Sequence, residues 1–166
     1  MNSQVVGKGI LGELTQAVAT TLEGHGFVKR AMLFTKVVGD NAAIIEFQRS
    51  RDRPMFTINV GVVCGKLLPT GPSGLRKADV TDAHLHQRLG WLLPDPGDKW
   101  WELTLETDVD FLAKELAELL VTKAIPYLES FLSTDALAKL WESGQSPGLT
   151  AVQRARYLSG LKKSRI

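Results

Sequence analysis

The chain has 166 residues, 44% of them apolar and 23% charged, with a net charge of +2. A chain of this length buries roughly 70% of its unfolded surface, so its core needs no metal or disulfide staple. The single cysteine, Cys64, excludes an internal disulfide and points to a reducing compartment. No stretch approaches the ~20 apolar residues of a membrane helix, and the start lacks the basic-then-apolar pattern of a secretion signal. The expectation is a cytoplasmic protein with no membrane contact.

Ile10, Leu11, Leu14, Val18 and Leu22 recur at helical spacing. Gly24 and Gly26 then supply a stop, because glycine enters the left-handed conformation that ends helices. Extended chain is expected over 27–38, but its apolar residues fall on both parities and leave its orientation open. Gly39-Asp40-Asn41 marks a turn. The next strand places Ala43, Ile45 and Phe47 on one face, and Ile44, Glu46 and Gln48 on the other. After a turn over 49–54, Phe56, Ile58, Val60 and Val62 oppose Thr57, Asn59 and Gly61. Such alternation belongs to an antiparallel sheet with one face against a core.

Residues 67–79 read as a loop. A fourth strand is expected over 84–93, with Leu85, Leu89, Trp91 and Leu93 inward and His84, His86 and Arg88 opposite. A short helix begun by Thr81-Asp82 competes for its first half. Pro94-Asp95-Pro96-Gly97 is a turn, and a fifth strand over 100–105 carries Trp101, Leu103 and Leu105 on one side. Beyond it the pattern is helical. Thr107 and Asp110 resemble a capping box, and Val109, Leu112, Leu116, Leu120 and Tyr127 form a stripe. Pro126 predicts a kink or break. Ser133 and Thr134 can cap a helix carrying Leu137, Leu140 and Trp141, closed by Gly144. A last helix is expected over 150–163. The prediction is therefore an α+β domain: an antiparallel sheet of four to five strands, with the N-terminal helix and the C-terminal helices packed on one face. Residues 1–132 form the α+β body, and 133–166 a helical extension of the same domain.

Glu46, Gln48, Thr57 and Asn59 share a parity across two paired strands, opposite the apolar set. If the fourth strand joins in register, His84, His86 and Arg88 extend that face. Such a face is either a wet surface or a polar binding surface. The pair His84-x-His86 places two imidazoles on one side of a strand, about 7 Å apart, and Asp79, Asp82 or Glu46 would be a third ligand for a metal. No second His/Cys cluster completes such a set, so neither metal nor cofactor is expected. Cys64 beside a histidine would make a nucleophilic pair; a small buried hydrophobe is the plainer reading. The glycines around Gly71 lack phosphate-loop spacing. Arg49, Arg51 and Arg53 crowd one turn, and the C-terminal tail carries Arg154, Arg156, Lys162, Lys163 and Arg165 without an acid. These are the features that would favour nucleic acid. They lack interleaved aromatics, and a pI of 8.7 lies below the strongly basic range.

The order of several short motifs resembles a bacterial family known as domain of unknown function 4304. They are the helix ending in His25-Gly26-Phe27, then Phe47-Gln48-Arg49-Ser50, Phe56-Thr57-Ile58-Asn59-Val60-Gly61-Val62, Arg88-Leu89-Gly90 and Asp98-Lys99-Trp100-Trp101. The helix after Asp108 and Ile125-Pro126-Tyr127-Leu128 follow. The resemblance spans about residues 8 to 132 and implies an α+β domain without assigning an activity. The resulting expectation is a binding protein for a protein partner or small ligand, with an immunity or defence accessory as an analogy. Its site residues would be Gln48, Arg49, Asn59, His84, His86 and Arg88, with Glu46 and Trp100 at the margin. The alternative is a small hydrolase or nuclease using the same His/Arg/Glu set.

Overall fold

The computed structural model describes residues 2–164; Arg165, counted above in the basic tail, lies outside them. Helix α1 (Ser3–Gly24) is capped by the Asn2 side chain; His25 closes it, and Gly26 follows with a φ of 92° that suits glycine. Six strands follow among the described residues: β1 (Val28–Arg30), β2 (Leu33–Val38), β3 (Asn41–Arg49), β4 (Met55–Cys64), β5 (Leu85–Arg88) and β6 (Trp101–Glu102). All pair antiparallel, in the order β1-β2-β3-β4-β5, with β6 pairing with the start of β4 beyond β5. Helices α2 (Val109–Leu119), α3 (Ile125–Ser130), α4 (Thr134–Ser143) and α5 (Ala151–Lys163) follow the sheet. This is the expected α+β architecture, with the helices on one face.

The differences from expectation have local causes. The segment expected to be one strand over 27–38 is a hairpin: Arg30 pairs with Leu33 across the two-residue turn Ala31-Met32, and Ala31 adopts φ 54°. That turn resets the alternation and explains apolar residues on both parities. The fourth strand stops at Arg88 and gives way to a 3-10 turn over Leu89–Leu92, so Trp91 is 54% exposed rather than inward. The fifth shrinks to two residues; Trp101 and Leu103 are buried as expected, but Leu105 lies in the following loop, exposed. Asp108, not Thr107, caps α2 by accepting from the Phe111 N–H. At Pro126 the chain does not break. A π turn over Leu120–Ala124 precedes it, so the proline opens α3 at a position where its missing N–H costs little.

One sheet face carries Phe34, Ala43, Ile45, Phe47, Phe56, Ile58, Val60 and Val62 into the main core with Leu14, Val18, Leu116, Leu120 and Trp141 of the helices. Phe34, Phe47, Phe56 and Trp101 form a row with ring centroids 5.4–6.0 Å apart. This row anchors β6, and with it the preceding loop. The other face is divided. At one end Leu33, Ala42, Ile44 and Val63 are covered by Leu75 and Ala78, from a crossover that runs through 3-10 turns over Gly65–Leu67, Gly71–Lys77 and Val80–Asp82. At the other end the residues are polar.

Candidate functional site

The register dictates the cluster. Glu46 lies opposite Asn59, Gln48 opposite Thr57, Asn59 opposite Arg88, and Gly61 opposite His86. Cross-strand neighbours on one face have Cβ atoms about 5 Å apart, so these side chains meet. Gly61 permits the approach, because a Cβ there would lie 2.6 Å from the Leu85 carbonyl oxygen.

Asn59 is the hub. It is 3% exposed, and its Nδ2 donates to Glu46 Oε1 at 3.1 Å and Gln48 Oε1 at 2.7 Å. Its Oδ1 lies 3.0 Å from His86 Nε2. Because both amide hydrogens go to acceptors, Oδ1 must accept, and Nε2 of His86 carries the proton. Burial, reinforced by Arg88, lowers the His86 pKa, so the neutral Nε2–H tautomer is favoured and Nδ1 is left as an acceptor. Burial raises the Glu46 carboxyl above its usual range; the Asn59 bond opposes this and nearby Asp79 adds to it. The outward groups are thus Glu46 Oε2, Gln48 Nε2 and His86 Nδ1.

Beside this hub stands Arg88. Its Nη1 donates to both carboxylate oxygens of Asp98 at 2.7 Å, and its guanidinium lies 5.2 Å from the Trp100 ring centroid. Trp100 Nε1 in turn donates to Asp98 Oδ2 at 3.2 Å. The Arg88 bond holds the Asp98 carboxyl below its ordinary range. The loop carrying Asp98 and Trp100 is fixed at two points. Thr57 Oγ1, fully buried, donates to the Lys99 carbonyl at 2.8 Å. At Gly90 any Cβ would collide with the Gly97 carbonyl and the Lys99 backbone N–H. A hollow of about 650 Å³ lined by Leu93 to Trp100 adjoins the cluster and shares Asp98 and Trp100 with it.

The structure therefore brings together Glu46, Gln48, Asn59, His86, Arg88 and Trp100. It does not bring in Arg49, whose Nη1 donates to the backbone and side-chain oxygens of Gln4 at the start of α1. His84 also leaves the group. Its Nδ1 accepts from the Cys64 backbone N–H at 2.9 Å, and its ring packs edge-on against Tyr157 of α5, 5.0 Å between centroids. Burial pushes its pKa down to about 4, against a small opposing pull from Asp82. The bond runs to the Cys64 backbone, and the buried thiol has its pKa raised by burial, so the two do not form an activated pair. Among the described residues no three His, Cys, Asp or Glu side chains are placed to hold a metal. Asp98 joins the site although the strand alternation does not point to it. Its signal is a carboxylate two residues before Trp100, just after a proline-glycine turn that folds back on Arg88.

The family model for a domain of unknown function (DUF4304) matches residues 18–130. The chain belongs to this family. The matched segment takes in the whole sheet, and with it the cluster from Glu46 to Trp100. No curated protein and no solved structure matches the chain. Among the described residues no helix is long and apolar enough to cross a membrane.

Proposed function

We propose that this chain is a cytoplasmic binding domain that recognises a protein partner through the uncovered polar half of its sheet. The observation that carries the reading is the Asn59 hub. Its amide is saturated inside the cluster, so the outward groups of Glu46, Gln48 and His86 are held in place before a partner arrives. Such preorganisation reduces the ordering cost of association. Arg88 and Trp100 supply the anchors, since arginine and tryptophan dominate the energetics of protein interfaces. The hollow beside Trp100 would accept a protruding side chain of the partner. A free, buried Cys64 fits a reducing compartment.

The test is quantitative capture with immobilised protein, followed by titration of the purified captured partner. Replacing Arg88 and Trp100 together by Ala should weaken binding at least about tenfold, the scale of a hot-spot loss. Lys29→Ala on the edge strand should leave it unchanged. Equal affinity for the double variant, with an unaltered melting profile, would end the reading.

One observation favours a second reading, a small hydrolase or nuclease. Burial raises the Glu46 carboxyl, the direction that suits a general acid, and favours the neutral form of His86, which can serve as a base. A panel of ester and phosphodiester substrates decides it: turnover abolished by Glu46→Gln with the fold intact would replace binding by catalysis.

A further inference from the structure

A second concavity lies on the same side of the sheet, away from the polar cluster. It has a volume of about 290 Å³ and is lined by Gly26, Val28, Arg30, Thr35, Val37 and Arg76. Val28 and Thr35 are cross-strand partners of the β1–β2 hairpin, and Arg76 reaches it from the crossover segment Gly71–Lys77.

Its chemistry is unequal. Two of the lining residues are arginines and none is acidic. Arg30 is oriented by donating from Nη2 to the carbonyls of Lys77 and Ala78, at 3.2 and 3.4 Å, which leaves its other N–H groups unused. Asp79 feels the Arg30 charge, but its Oδ1 accepts from the backbone N–H and the hydroxyl of Thr81. Arg76 is exposed and makes no ion pair or hydrogen bond among the described residues. The Lys36 side chain lies against Gly26 at the rim, its Cε 3.1 Å from where a Cβ would stand. Thr35 is only 9% exposed, yet its hydroxyl has no partner among the described residues. The walls are apolar: Val28 is 70% and Val37 40% exposed.

We propose that this concavity binds a small organic carboxylate carrying an apolar body. Arg30 and Arg76 hold the carboxylate, in the paired geometry that guanidinium groups offer to planar oxyanions. The Thr35 hydroxyl donates one further bond. The apolar body lies over Val28 and Val37. A bare phosphate would satisfy the arginines but leave the valines in water, so the walls favour an anion that carries an apolar body.

Benzoate and inorganic phosphate are suitable probes, added to the full chain and followed through its backbone amide resonances and by calorimetry. Benzoate should give saturable shifts centred on Val28, Thr35, Val37 and Arg76. Arg76→Gln should weaken it about tenfold, the effect of losing one charge-assisted bond. Thr35→Val, which keeps shape and strand preference, should weaken it by a smaller factor. Because Arg76 is exposed and unbonded, its variant melts as the parent does and the binding loss reads the site alone. Non-saturable benzoate shifts, unchanged affinity in Arg76→Gln, or saturable phosphate binding without benzoate binding would each overturn the proposal. None of these residues belongs to the Arg88/Trp100 surface. Partner capture therefore stands or fails separately.

Discussion

Two ends of one sheet face solve the same problem differently. At one end Leu33, Ala42, Ile44 and Val63 are apolar and lie beneath Leu75 and Ala78 of the crossover. At the other, on the same strands and the same parity, Glu46, Gln48, Thr57 and Asn59 pair with one another, with His86 and with the Lys99 carbonyl. An apolar sheet surface needs a cover to leave water. A polar one that satisfies its own deepest member does not. The boundary falls between Ile44 and Glu46 on β3 and at Gly61 on β4, and it fixes where the crossover stops and the open surface begins.

The covered half should be the more costly to disturb. Ile44 is fully buried, so Ile44→Ala should destabilise by about 3 kcal/mol, combining lost transfer energy with the residual cavity. Denaturant unfolding measures it. A cost under about 1 kcal/mol would mean that the crossover collapses onto the gap and is a loose cover.

The two histidines sharpen the contrast. His84, 8% exposed, has its folded pKa depressed to about 4 from 6.5. Between these values the unfolded chain takes up a proton that the folded chain refuses. The His84 contribution to stability is therefore constant well above pH 6.5, falls as pH drops towards 4, and is constant again well below it. The integrated loss is about 3 kcal/mol, a figure that already includes the opposing Asp82 charge. His84→Gln, which keeps a side-chain acceptor within reach of the Cys64 N–H, should flatten this slope, while His86→Gln should retain most of it. Urea unfolding across pH 4 to 7 separates them. If His86→Gln flattens the curve instead, the roles are reversed.

Much of this division is legible in the sequence. The alternation of β3 and β4 places Glu46, Gln48, Thr57 and Asn59 on one face once the strands pair antiparallel; which residue meets which depends on the register, seen only in the structure. The polar face follows without any coordinates. His84 is harder to read. It shares parity with His86, but it sits just before β5 begins, where the chain has not yet joined the ladder, and Tyr157 of α5 packs on its ring. A contact 73 residues away in sequence leaves no local trace. Trp91 and Leu105 failed for a related reason. Apolar alternation does not reveal where a strand stops, and the 3-10 turn after Arg88 redirects every residue beyond it. Asp98 stayed hidden because its role depends on the loop closing on Gly90.

Asn59→Thr probes the open half directly. Threonine suits a strand better than asparagine, so an idle surface position would be neutral or slightly stabilised. Here the change removes a buried amide with three partners, and about 1–3 kcal/mol should be lost. The His86 imidazole should also change, because Nε2 loses its acceptor and the ring can exchange tautomers. Nitrogen chemical shifts of the ring report this. Unchanged stability and an unchanged tautomer together would show that the hub organises nothing.

The smallest stability effect should come from Arg88→Ala, and that smallness is informative. The Arg88–Asp98 pair is partly open to water, with side chains 29% and 47% exposed, and exposed pairs of this kind contribute about 0–1 kcal/mol. The guanidinium stacked on Trp100 adds about 0.5–1 kcal/mol where solvent reaches it. Melting should therefore shift little, since Thr57 and the Gly90 contact still hold the loop. Two local signals should move all the same. The Asp98 carboxyl loses the bond that holds its pKa down and should titrate nearer the ordinary carboxylate range. Trp100, uncovered on one ring face, should emit at longer wavelength. A residue kept for stability would show the opposite pattern, a clear loss of melting temperature with little spectroscopic change. A small stability cost, a moved Asp98 titration and weakened partner binding together would mark Arg88 as a group held ready for a contact outside the fold.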